Sequence, residues 1–288
     1  MASISADVVA AANAKSRRLR ELLRAPKILV MPGAHDVLSA MLFESLGFPA
    51  IQGSSGGIAA VYGLRDDELL GRERTAEIYR EMAAAVSVPV NADGERGFGG
   101  PEAMAETVRQ FVAAGVAGMN LEDSASHEPG TPMNLVPMEA MLAKIRAIME
   151  AKRALGSEFF LNARVDALGA VKDVRDGIDE AIRRGNAYAE AGADCIFIFR
   201  PPDAAGIARL VREIRAPVSI LATPDSPSVP ELEALGVARV SYGVAFTRAA
   251  VTAMTRLAQE LLGAGNPAPI LREIISHPDL QKLLRSRG

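Results

Sequence analysis

Two carboxylates one residue apart, Asp93 and Glu95, stand in the stretch Val88-Pro89-Val90-Asn91-Ala92-Asp93-Gly94-Glu95-Arg96-Gly97-Phe98-Gly99-Gly100. Paired hard oxygen donors with no Cys or His beside them suit Mg²⁺ better than zinc. The apolar run ahead of them reads as a buried strand. Pro101 then opens a helix, where its missing N–H has no helical partner to lose. Met104, Val108, Phe111 and Val112 follow at helical spacing. The acids are therefore expected just past the C-terminal end of a strand, where α/β folds place their chemistry. An Asp-Gly hairpin turn is the competing reading, and the helical spacing after the turn argues against it.

Other polar groups stand in the same relation to apolar runs. After residues 50–52 come Gly53, Ser54, Ser55, Gly56 and Gly57, then Arg65, Asp66 and Asp67. Glu122 and Asp123 follow residues 118–121, and Arg164 and Asp166 follow residues 159–163. On one rim they would combine acids for a divalent cation, an arginine for a carboxylate, and a Gly/Ser loop whose amides can bind an anion. Each has a plainer reading. Asp66 and Asp67 could cap a helix, Glu122 and Asp123 could be solvated charge, Arg164 could pair with Asp166, and the Gly/Ser run could be a flexible loop. The coincidence of four such loops favours a shared pocket. His35 suits a capping or supporting role, His127 lies in Ser126-His127-Glu128-Pro129-Gly130, and His277 reads as structural. No His/Cys spacing resembles a zinc site. Gly97-Phe98-Gly99-Gly100 lacks the spacing of a dinucleotide fingerprint.

The elements that must position these groups repeat one theme. Residues 12–24 read as a basic amphipathic helix that Pro26 ends. Eight apolar runs follow, near 28–31, 50–52, 88–92, 118–121, 159–163, 195–199, 218–222 and 239–242, each with a helix after it. A long loop is expected between the second run and its helix near 72–86. Leu46-Gly47, Ala114-Gly115, Ala191-Gly192 and Leu235-Gly236 place a glycine where a helix ends in a left-handed cap. Eight strand–helix units in one uninterrupted chain predict a single (β/α)₈ TIM barrel rather than an open doubly wound sheet. A further helix is expected near 268–285, beyond the break Gly263-Ala264-Gly265-Asn266-Pro267. The organisation read is one barrel domain over 1–288, with an N-terminal helix within 1–25 and a C-terminal segment, 264–288.

Composition bounds the function classes. The chain has 288 residues, 49% hydrophobic and 23% charged, with net charge −3. That balance gives no field for nucleic acid or an anionic membrane. The lone Cys195 excludes an internal disulfide and fits a cytoplasmic location. No run of ~18 apolar residues suggests a membrane span. Residues 1–12 lack the basic start of a signal peptide.

Several motifs together carry a family resemblance. They are Pro32-Gly33-Ala34-His35-Asp36, Gly53-Ser54-Ser55-Gly56, Tyr62-Gly63-Leu64-Arg65-Asp66, the run from Asn91 to Gly99, Asn120-Leu121-Glu122-Asp123, Asn162-Ala163-Arg164-Val165-Asp166, Ala191-Gly192-Ala193-Asp194 and Ser241-Tyr242-Gly243. In this order they resemble the isocitrate lyase/phosphoenolpyruvate mutase superfamily over nearly the whole chain. The resemblance implies a barrel that binds Mg²⁺, or Mn²⁺ in its place, and a 2-oxo acid or its enolate. It implies Asp93 as the direct metal ligand, with Glu95 and Glu122 reached through water. It further implies Gly53, Ser54 and Ser55 as the loop for the substrate carboxylate, and Arg164 as the basic group on the same substrate. Asp66 would act near the reacting bond, with Glu122 beside it; His127 is a further catalytic candidate, as a group that could substitute for the acid on the loop after the fourth strand. A homotetramer, a dimer of dimers, is implied, in which the last helices swap between subunits.

The departures bear on the reaction. The lyases carry a Lys-x-Cys-Gly-His type motif after the fourth strand, and the phosphonate mutases a Lys and an Asn. Here the stretch is Ser124-Ala125-Ser126-His127-Glu128-Pro129-Gly130-Thr131-Pro132, with neither Cys nor Lys. Isocitrate and methylisocitrate are accordingly expected to be poor substrates. The leading expectation is a Mg²⁺-dependent C–C lyase acting on a small 2-oxo or 2-hydroxy dicarboxylic acid. The alternatives are a hydrolase or decarboxylase of an oxaloacetate-like acid, a C–P bond enzyme of the phosphonopyruvate hydrolase or carboxyphosphonoenolpyruvate mutase type, and a 2-oxo acid binding protein without turnover.

Overall fold

Short apolar runs become strands here because the barrel interior covers one face and helices cover the other. The computed structural model describes residues 4–125, 133–272 and 274–284. In chain order the first elements are α1 (Ala6–Arg24), β1 (Leu29–Met31), β2 (Gly33–Ala34), α2 (Val37–Ser45), β3 (Ile51–Gly53), α3 (Ser55–Val61), α4 (Gly71–Ala85) and β4 (Val90–Asp93). After a 3₁₀ turn at Pro101–Ala103 come α5 (Met104–Ala113), β5 (Gly118–Glu122), α6 (Met138–Leu155), β6 (Phe160–Val165), α7 (Ala167–Ala170) and α8 (Val174–Glu190). The last are β7 (Cys195–Ile198), α9 (Ala204–Glu213), β8 (Val218–Leu221), α10 (Val229–Ala234), β9 (Arg239–Ser241), α11 (Ala245–Ala264), α12 (Ala268–Arg272) and α13 (His277–Leu283).

The nine strands form one parallel sheet in the order β1-β9-β8-β7-β6-β5-β4-β3-β2. β1 and β2 share one barrel position, split at Pro32, which has no N–H to donate. β1 pairs with β9, Leu29 opposite Arg239, and β2 pairs with β3, Gly33 opposite Gln52. The Pro32 carbonyl still accepts the Gln52 N–H at 3.0 Å. The predicted TIM-type barrel is therefore present, with its first strand in two pieces.

α1 closes the N-terminal end of the barrel. Its Leu19 and Leu23 pack with Leu29 and Met31 of β1 and with Ala50, Ala117, Phe160 and Cys195 at the starts of β3, β5, β6 and β7. Ser16 Oγ donates to the Ala117 carbonyl at 2.7 Å. The C-terminal ends of the strands are left to the functional loops.

Five expectations are corrected. The stretch after β3 is not simply a long loop, because α3 forms within it. Two glycines in seven residues weaken its helical signal, and the Ser54 side chain caps it by accepting the Gly57 N–H at 3.3 Å. Asp66 and Asp67 do not cap α4, whose N-cap is Leu70. One helix over 268–285 is replaced by α12 and α13. Pro278 cannot continue a helix from upstream, and Ser276 starts a new one by accepting the Asp279 N–H at 3.2 Å. α1 also begins earlier than residue 12, capped by Ser5. At α2 the cap is Asp36 rather than His35, with Asp36 Oδ1 accepting the Ser39 N–H at 2.7 Å.

Candidate active site

The barrel interior carries two polar layers, because alternate residues of a strand share a face. The lower layer is an amide belt. Asn120 Oδ1 accepts from Asn91 Nδ2 at 3.0 Å and from Asn162 Nδ2 at 2.8 Å. Asn91 Nδ2 also donates to Gln52 Oε1 at 3.0 Å, and Ser219 Oγ to Asn162 Oδ1 at 3.3 Å. Arg239, fully buried, donates to the same Gln52 oxygen. Burial lowers the Arg239 pKa to about 10, so it remains a cation at neutral pH.

Two residues further along these strands lie Asp93, Glu122 and Arg164, the upper layer. Glu122 sits opposite Arg164 in the β5–β6 register. Arg164 Nη1 reaches Glu122 Oε2 at 2.6 Å. Its Nε and Nη2 each reach Asp166 Oδ1 at 2.9 Å. The guanidinium lies 3.8 Å over the Phe199 ring, which fixes its plane. Burial opposes the charge of Arg164, but Asp166, Glu122 and Asp93 outweigh it and hold its pKa above the ordinary value. The sequence left open whether Arg164 faces the barrel mouth or pairs with Asp166; it does both.

Asp93 is the last residue of β4 rather than the first of the loop. Its N–H donates to Tyr79 Oη at 2.8 Å, and its Oδ2 accepts from Ser55 Oγ at 2.9 Å. A Cβ on Gly53 would lie 2.2 Å from the Tyr79 ring, so only glycine admits that ring beneath the site. A Cβ on Gly56 would lie 2.8 Å from the Asp66 carboxylate, which packs on the start of α3 and hydrogen-bonds Ser55. The Ser54 N–H is already taken by the Ala34 carbonyl at 2.9 Å, so Ser54 serves as the cap while Ser55 faces the site. The amides of Ser55 and Gly56 open α3, where a helix offers no internal acceptor.

These groups line a cavity of about 470 Å³ at the C-terminal mouth. Asp66, Asp93, Glu95, Glu122 and Arg164 line it together, with Arg96, Arg200 and Arg248. Met133, Phe197, Phe199, Leu221 and Val244 supply apolar wall. His127 lies outside the described residues.

Asp93, Glu95 and Glu122 are the oxygen donors that could hold a cation. Burial, with the charges of Asp66 and Glu122, raises the Asp93 pKa to about 6. Burial, with Asp66 and Asp93, raises Glu95 to about 9. Such crowding is what a divalent cation would relieve. Among the described residues no three His, Cys, Asp or Glu side chains form a ready chelate. A cation here would take few direct protein ligands and keep water, as Mg²⁺ does.

The raised values set a pH dependence. Acids held above their ordinary pKa in the folded chain keep protons that the unfolded chain has already released. Stability contributed at low pH is then lost as pH rises from ~4 through about 6 and about 9. The metal-free protein is therefore expected to melt at lower temperature at pH 8.5 than at pH 5, and added Mg²⁺ to raise the melting temperature more at the higher pH. Melting scans in chelator and in Mg²⁺ check this; a stabilisation by Mg²⁺ that shrinks as pH rises contradicts it.

Sequence reading missed several supports. Tyr79 holds the Asp93 backbone, and Glu68 holds the turn after β4. Asp123 is buried, not solvated, and accepts from Asp166 N–H, Arg184 and Tyr188. The signal for the belt was present: Asn91, Asn120 and Asn162 each precede a site residue by two positions, the period of a strand.

Residues 19–262 match the model of the phosphoenolpyruvate phosphomutase family. The chain belongs to that family. It thus lies in the isocitrate lyase/phosphoenolpyruvate mutase superfamily, as its motifs implied. A 2-methylisocitrate lyase of Bacillus subtilis is 36% identical over 251 residues, 83% of this chain and 79% of that protein. A 2,3-dimethylmalate lyase of Eubacterium barkeri is 32% identical over 276 residues, 93% of each. The crystal structure of a phosphoenolpyruvate phosphomutase from Streptomyces platensis subsp. rosaceus superposes with a TM-score of 0.84 at 31% identity, covering 93% of this chain and 94% of that one. The phosphomutase family thus includes relatives named for cleaving carbon–carbon bonds and for moving phosphoryl groups. Among the described residues no helix is long and apolar enough to cross a membrane.

Proposed function

We propose that the protein is a lyase that cleaves a C–C bond beside the 2-oxo or 2-hydroxy group of a small dicarboxylic acid. Asp93 would hold a divalent cation, Mg²⁺ or Mn²⁺, directly, with Glu95 and Glu122 acting through water. The observation that carries the reading is the meeting of these acids with the largely enclosed Arg164 in the lining of one cavity that also has apolar wall. The cation supplies polarisation of the substrate carbonyl and stabilisation of enolate charge. Arg164 spends three of its five N–H groups on Glu122 and Asp166, leaving one on each Nη for a substrate carboxylate. Stacking on Phe199 orients that fork. The amides of Ser55 and Gly56 receive the anion's other side. Asp66, beside Ser55, stands where it can exchange a proton with the substrate hydroxyl. Phe197, Leu221 and Met133 accept an alkyl substituent, and relatives named for methyl-bearing acids agree with that.

A panel of malates, methylisocitrate, oxaloacetate, 2-oxo acids and phosphonates with Mg²⁺ tests the reading. Release of pyruvate or glyoxylate from a hydroxy-dicarboxylic acid supports it. Phosphate release from a phosphonate alone, oxalate from oxaloacetate alone, or binding without turnover overturns it.

We further propose a cytoplasmic homotetramer in which residues 264–288 pack on a neighbouring subunit. Only Thr247 of α11 is buried, while Met254, Leu262, Leu271 and Ile274 are 61%, 89%, 64% and 59% exposed. Apolar exposure on this scale marks an interaction surface. Truncation after residue 264 is expected to lower both the sedimentation coefficient of the assembly and its melting temperature. Unchanged values for both refute it.

A further inference from the structure

We propose that Glu68 is a positioning residue that latches the Asp66-bearing loop, residues 62–70, onto the turn after β4. The contact is reciprocal. The Glu68 N–H donates to Glu95 Oε2 at 2.7 Å. In return Glu68 Oε1 accepts the backbone N–H groups of Arg96 at 3.1 Å and Phe98 at 2.8 Å, and Oε2 accepts from Arg96 Nη2 at 3.2 Å. The neighbouring Asp67 adds an ion pair to the same Arg96 nitrogen at 2.8 Å. Glu68 and Arg96 side chains are each about one-fifth exposed, at 19% and 18%. Their charges are therefore only partly screened.

The backbone supports a built device. Among the described residues four non-glycine positions have left-handed φ: Glu68, Glu95, Phe98 and Arg200. Three of the four meet in this one contact. Left-handed backbone at such residues is strained and persists only where the surroundings over-determine it. Here the surroundings are the hydrogen bonds to the Glu68 carboxylate. Without them the strain favours release of the loop's C-terminal half, since α3 holds its other half, through Leu64 N–H on the Ala59 carbonyl at 2.9 Å and through Asp66 on Ser55. Glu68 thereby shares with Ser55 the placing of Asp66 relative to Asp93, and it ties that placement to the orientation of Glu95. The consequence for ligand binding rests on the reading of the site above; the latch itself does not.

Glu68→Asn tests it. Asparagine tolerates left-handed backbone, so the φ of 55° at residue 68 need not change, but its side chain is too short to reach both amides. The probe is the residue-68 amide, whose acceptor Glu95 is not altered. Its hydrogen exchange is expected to accelerate by ~10-fold or more, since bonds to a charged group are lost, and tryptic cleavage after Arg65 to accelerate with it. With Mg²⁺ present, oxalate affinity is expected to fall by about the same factor while the melting temperature changes little. Glu68→Gln, which keeps an acceptor oxygen at full length, should fall between the two proteins. Unchanged protection at residue 68 in the Asn variant overturns the latch, whatever oxalate does. Failure of the wild-type protein to bind oxalate would instead count against the reading of the site, with the exchange result still deciding the latch.

Discussion

Asp93→Ala is expected to yield a folded barrel that turns over ~10³-fold or more slowly, because a bound Lewis acid supplies several kcal/mol and each ~1.4 kcal/mol is a factor of ten. The fold should survive because the bond from the residue-93 N–H to Tyr79 is a backbone contact and remains. What disappears is the carboxylate that accepts from Ser55 Oγ and from the Glu95 N–H, at 2.9 Å and 3.4 Å. Removing it also lowers the acid crowding that raises Glu95. Isothermal calorimetry with Mg²⁺, alongside steady-state turnover and far-UV melting, separates the effects. Mg²⁺ affinity unchanged in the folded variant would remove Asp93 from the cation site, and with it the proposed chemistry.

Asp123→Ala should act on stability rather than on chemistry. Asp123 Oδ1 accepts the Asp166 N–H at 2.9 Å, and Oδ2 accepts from Arg184 Nη1 at 3.0 Å and Tyr188 Oη at 2.7 Å. One side chain thus joins β5, the end of β6 and α8, with Arg184 itself buried. Truncation removes the buried one of that guanidinium's two counter-charges, leaving Glu180 at 2.6 Å, so the loss is expected near the lower end of the ~3–5 kcal/mol that breaking a buried pair from one side costs. The urea midpoint should fall accordingly with the slope unchanged. Asp123→Ala combined with Arg184→Met should recover part of the loss, since the guanidinium that lost its buried partner is gone. A single-variant loss under ~1 kcal/mol would mean that the pair is solvated in practice.

Periodicity exposes what alternates and hides what converges. The barrel was legible because eight apolar runs alternate with helical spacing and four helices end at a glycine, both local signals. The positions of Asp93, Glu122 and Arg164 followed from the same rule, and the structure brings them to one rim. Asp123 was ambiguous because its partners Arg184 and Tyr188 lie 61 and 65 residues away, and no spacing rule connects a strand end to a later helix. Tyr79 was invisible for a similar reason: within α4 it reads as one more apolar residue, and only the Gly53 gap reveals its approach. α3 was missed because its glycines serve close packing against Asp66, His35 and Thr247 rather than helix propensity. The C-terminal helix was drawn too long because the weight of Pro278 was underestimated.

The seal that α1 makes beneath the strands has a bearing on traffic. With Leu19 and Leu23 filling the N-terminal end, the way to the cavity among the described residues is from the loop side. If a molecule is split inside as proposed, both fragments would leave toward the loops, and the one held by Arg164 and Ser55 would be expected to depart last.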